Sequence, residues 1–127
     1  MRLALTMLLL LAGCSATDMH GRDRADLATM LAGRTAGPPQ DCVSIEPTTG
    51  IRPVDPQTVI VDRGATLYVN HLAGDCGNLQ ATDTLIVEVH GSQYCRGDHF
   101  RSQPFGGAAV SGPICILGSF TPYRRAS

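Results

Sequence analysis

Four cysteines, Cys42, Cys76, Cys95 and Cys115, fall in a stretch too short to build a large core, and they constrain the fold more than any other feature. Ahead of them, Met1 to Gly13 place one positive charge, Arg2, before a leucine-rich apolar run, the layout of an export signal. Export leads to an oxidising compartment, where an even number of cysteines is expected to form disulfides. Four cysteines allow three pairings. The expected pairing joins Cys76 to Cys95 and Cys42 to Cys115. It takes Cys42 as opening the first strand and Cys115 as beginning the last, and these must meet if the sheet closes. A structural zinc site would need a close cysteine pair, which the spacing lacks. A nucleophile at Cys95 with His99 as its base would need a reduced thiol outside the cytoplasm.

The apolar run stops at Gly13 and Cys14, short of the roughly 20 residues that a membrane-crossing helix requires. Leu11-Ala12-Gly13-Cys14 resembles the lipobox of bacterial lipoproteins. The resemblance implies that residues 1–13 are a removed signal peptide, that the Cys14 sulfur carries a diacylglyceryl group, and that the freed amine can take a further chain such as palmitate. At about 0.8 kcal/mol per buried CH₂, two such chains already hold a protein on a membrane permanently. Ser15 stands where an aspartate would retain a lipoprotein in the inner membrane, so the expected address is the outer membrane, facing the periplasm.

Residues 14–22 read as a lipid-anchored tether, 23–41 as a short helix and a Gly/Pro linker, and 42–127 as a β-rich, disulfide-bridged domain. In the helix, Asp23 can cap the N-terminus, Asp26 suits the dipole of the first turn, and Gly33 is a natural stop. Leu27, Met30 and Leu31 form one apolar stripe, and a helix this short needs a surface to lie on. Docking on the domain is the expectation, with Gly37-Pro38-Pro39 ending the pattern.

Beyond Cys42, short runs of Val, Ile, Thr and Tyr are divided by Gly, Pro, Asp and Asn. The clearest is a hairpin: Thr58 to Val61, a turn at Asp62-Arg63-Gly64, then Thr66 to Leu72. Thr84 to His90 is a further strand with Leu85, Val87 and Val89 on its core face. Weaker strands are expected at Val43–Ile45, Ile51–Val54, His99–Ser102 and Cys115–Thr121, with a Gly-rich loop at 103–113. The fold class is therefore mainly β. It is expected to be a small antiparallel sheet or barrel of about five to seven short strands with one short N-terminal helix, stapled by disulfides.

Three clusters stand out: Tyr68-Val69-Asn70-His71-Leu72 leading to Cys76, Gly91 through Asp98, and Cys115 through Arg125. Together they resemble a set of small proteobacterial envelope proteins, common in sphingomonad-like bacteria and known as a domain of unknown function. The likeness runs from about Asp23 to Arg125 with cysteines at matching positions. The chain departs from the pattern at Gly77, where proline commonly follows the cysteine, and at His99, where an aliphatic residue is common. The resemblance implies a lipid-anchored, cysteine-bridged domain and carries no catalytic residue.

Arg96-Gly97-Asp98 is a tripeptide that integrin ligands use, but turn chemistry after a disulfide explains it better than a recognition turn. Asn70, between apolar neighbours on a strand, is expected to be solvated or to bond a loop's backbone. His71, His90 and His99 with Asp75, Asp98 and Glu88 are the set from which a small enzyme or metal site could be built, and no spacing demands one. Gly-x-Ser-x-Gly, His-Glu-x-x-His and phosphate-cradling glycine loops are missing, and nothing calls for a cofactor. The net charge of −1, the absence of lysine and the scattered arginines argue against nucleic acid. The expected partners are the membrane, through the anchor, and another envelope protein or a cell-wall component. A non-catalytic binding or structural module is the expected function, with a small enzyme or metal-binding protein as the alternative.

Overall fold

The computed structural model describes residues 26–106 and 112–126. The signal, Cys14, the tether, Asp23 and residues 107–111 of the expected Gly-rich loop lie outside the described residues. The described strands are β1 (Arg34–Ala36), β2 (Cys42–Ser44), β3 (Ile51–Asp55), β4 (Thr58–Asp62), β5 (Thr66–His71), β6 (Thr84–Val87), β7 (Gln93–Cys95), β8 (His99–Gln103), β9 (Cys115–Ile116) and β10 (Phe120–Arg125). Every pairing is antiparallel. A main sheet runs β1-β10-β5-β4-β3, β2 pairs with β7, and a third sheet runs β6-β8-β9. The antiparallel β fold with a short helix and two disulfides is as expected. The strands are more numerous than five to seven, and the main sheet is open, with β1 and β3 as its edges.

The expected hairpin is present: Ile60 pairs with Val69 and Val61 with Tyr68, and the Asp62 carboxylate accepts the Gly64 N–H across the turn at 2.8 Å. Alternation then divides the side chains between two cores. Val59, Val61, Ile51 and Phe120 face the small sheets and pack with Val43, Tyr94, Phe100, Leu79 and Leu117. Ile60, Leu67, Val69 and Val54 face the other way, beneath Leu27, Met30 and Leu31 of the helix at residues 26–31. The apolar stripe therefore docks on the domain as expected. Val59-Ile60-Val61 is apolar throughout because both faces of β4 are covered.

The disulfides join Cys42 to Cys95 and Cys76 to Cys115, with Cα separations of 4.1 and 5.7 Å. This corrects the expected pairing of Cys76 with Cys95 and Cys42 with Cys115. The premise that the first and last strands meet is sound, since β1 pairs with β10. The first strand is Arg34–Ala36, inside the expected linker, and the last begins at Phe120, beyond a break at Leu117 to Ser119 that sets Cys115 apart on β9. Cys42 instead lies directly opposite Cys95 in the β2–β7 pair. Strand β6 also ends at Val87 rather than His90, so Val89 is exposed and only Leu85 and Val87 of its expected core face pack inward.

Two arginines fasten the edges. Arg34 Nε and Nη2 donate to the carbonyls of Met30 and Gly64 at 3.0 and 2.9 Å, tying the end of the helix to the β4–β5 turn. Arg63 reaches from that turn to the loop after β2, bonding Ser44, Thr49 and, at 3.1 Å, the Glu46 carboxylate.

Candidate functional site

Asn70 is wholly buried, and its amide behaves as a second peptide group. Nδ2 donates to the Gly118 carbonyl at 2.7 Å, and Oδ1 accepts the Gly118 N–H at 2.8 Å. Both backbone polar groups of Gly118, in the segment between β9 and β10, are thereby satisfied. Of the two expected roles, bonding a loop backbone is the one seen. Gly118 is required there by space, because a side chain would run into the His71 carbonyl oxygen.

The Arg96-Gly97-Asp98 turn is also committed to the fold. Gly97 takes a φ of 89°, which favours glycine, and its N–H donates to the Leu117 carbonyl at 2.9 Å. Asp98 is only 7% exposed, and its Oδ2 accepts the Cys95 N–H at 2.8 Å. Integrin-type recognition needs an outward aspartate, so this one is unsuited to it. Arg96 is exposed.

The structure brings only some of the candidate titratable residues together. His90 Nδ1 stands 3.5 Å from Asp98 Oδ1 at the surface. Glu88 and His99 are neighbours across β6 and β8, where the Glu88 N–H donates to the His99 carbonyl. His71 lies at the end of β5, and Asp75 in the following loop uses its carboxylate to accept the Gly77 N–H. Among the described residues, no three His, Cys, Asp or Glu side chains gather as a metal site.

The most distinctive surface is the outward face of the β6-β8-β9 sheet. Alternation turns Leu85, Val87 and Phe100 inward and leaves Ile86, Glu88, His99, Arg101 and Ile116 outward. Ile86, Ile114 and Ile116 are 45, 56 and 38% exposed, an unusual concentration of large aliphatic groups in water. A crevice of about 200 Å³ opens on this face between Ile86 and Ile114 and is bordered by Glu88, His99 and Arg101. Exposed isoleucines set among charged side chains have the composition of a protein contact surface. The sequence showed Ile86 only as the back of a strand, and gave no signal that three isoleucines converge. A second groove, of about 690 Å³, lies beside Cys76, Leu79 and Phe105.

No curated protein and no solved structure matches the chain. A family model described as a family of unknown function (DUF6491) matches residues 1–115. The match starts earlier than the expected likeness from Asp23 and stops before Arg125, so it takes in the apolar N-terminal run and all the cysteines. The chain belongs to the DUF6491 family of unknown function.

Proposed function

We propose that this chain is a lipid-anchored protein of the bacterial envelope whose β-rich domain is a non-catalytic binding or structural module. The observation that carries the binding half is the β6-β8-β9 face, with its exposed isoleucines and charged rim. The committed polar groups agree with it, since Asn70 and Asp98 are spent holding loops in place. The anchor rests on the sequence. An apolar run, small residues and Cys14 come in the order that lipoprotein processing requires, and Ser15 favours the outer membrane facing the periplasm. The family match covers the N-terminal run together with the domain.

The anchor predicts a specific chemical outcome. Cys14→Ala removes the sulfur on which acylation and cleavage both act, so the variant should take up no fatty-acid label and should keep residues 1–13. The native chain should incorporate the label, and globomycin should block its maturation. Native chain that takes up no label and appears free in the periplasmic fraction would overturn the anchoring.

A further inference from the structure

We propose that the outward face of the β6-β8-β9 sheet binds a second copy of this chain through a two-fold contact. The inference rests on the binding-module reading and is independent of the lipid anchor. Three of the large aliphatic side chains exposed among the described residues, Ile86, Ile114 and Ile116, lie on or beside this face. The charges among them are of both signs. Neither Glu88 nor Arg101 is in an ion pair among the described residues.

The strand register decides what such a surface fits. Ile86 is opposite Arg101, and Glu88 continues β6 opposite His99. Adjacent strands are about 4.8 Å apart and same-face neighbours along a strand about 6.7 Å apart, so these four residues mark the corners of a small rectangle whose opposite corners are within reach of long side chains. Glu88 and Arg101 occupy one diagonal, Ile86 and His99 the other. In a face-to-face contact with a two-fold axis along the Ile86–His99 diagonal, Glu88 of each copy meets Arg101 of the other, Ile86 meets Ile86 and His99 meets His99. A two-fold interface demands this self-complementarity: if residue i contacts j, then j contacts i. A face with one acid, one guanidinium and an apolar group between them satisfies that demand. A partner of uniform charge would leave one of the two ions facing its own sign.

The face is small beside the roughly 800 Å² per partner of a standard stable interface. The contact is therefore a weak one, of the kind that forms where copies are concentrated.

The test uses the full chain, produced at its native level in its own cells, with the photo-crosslinking residue p-benzoylphenylalanine in place of Ile116, on the face but outside the crevice. Illumination should give an adduct of twice the chain's mass in which mass spectrometry finds only this chain. Glu88→Arg and Arg101→Glu, each alone, set like charges together and should lower the adduct about tenfold. The double variant should restore it. Circular dichroism of the same variants checks that these exposed substitutions leave the fold intact. An adduct with a different protein overturns the second copy and leaves the binding-module reading standing. No adduct overturns both. An adduct indifferent to the single reversals, or a double variant that stays low, overturns the proposed geometry.

Discussion

Gly118→Ala is expected to destabilise the domain by about 3 kcal/mol or more, at the upper end of what overpacking costs. The added methyl group would run into the backbone carbonyl oxygen of His71, which is fixed in the last position of β5 and has no flexible end to give way. The collision also falls on the loop that Asn70 holds, so relaxing it would stretch two buried hydrogen bonds. Asn70→Asp provides the matched comparison. It keeps an oxygen for the Gly118 N–H but sets a second oxygen against the Gly118 carbonyl, losing one bond and burying a repulsion, at about 1–3 kcal/mol. Urea unfolding followed by circular dichroism would measure both as lowered midpoints. If either variant unfolds at the wild-type midpoint, the clamp does not hold the loop as described.

Removing the Cys42–Cys95 bridge by a double serine substitution should cost about 4 kcal/mol by the loop-closure estimate, for a sequence separation of 53 residues. The Cys76–Cys115 bridge, with a separation of 39, should cost nearly as much. Small domains have about 5–15 kcal/mol in total, so losing both bridges should leave little folded protein. A single serine substitution should be worse than its double, because it frees a reactive thiol. Peptide mapping under non-reducing conditions tests the pairing directly. It should yield one peptide pair containing Cys42 and Cys95 and another containing Cys76 and Cys115. A peptide joining Cys76 to Cys95 would overturn the arrangement.

What the sequence made legible follows from periodicity. The Thr58–His71 hairpin announces itself through alternation and an Asp-Arg-Gly turn, and the helix through Leu27, Met30 and Leu31. Oxidised cysteines follow from composition and spacing, but their partners do not. The Cys42–Cys95 pairing depends on β2 and β7, each three residues long and so too short to display a period, and the last strand is disguised by Pro122 within β10. The structural role of Asn70 was within reach because a strand amide among apolar neighbours must find a partner. Arg34 and Arg63 were not, since an arginine that fastens loops by bonding carbonyls looks in sequence like any solvated arginine. The isoleucine face was hidden for a related reason. Ile86, Ile114 and Ile116 come from two separate segments, and only the β6-β8-β9 pairing sets them side by side.

Strand β4 has a consequence for how the molecule comes apart. Val59 and Val61 are built into one core and Ile60 into the other, so a single ribbon of backbone is a party wall between them. Neither room can be emptied while the other stays furnished. Pulling the helix away from Ile60 loosens the strand against which Phe100 and Tyr94 rest, and breaking up the small sheets loosens the floor beneath Leu27 and Leu31. Three sheets and a helix in so short a chain are therefore expected to melt as one cooperative unit, the amides of β4 exchanging with water only through global unfolding.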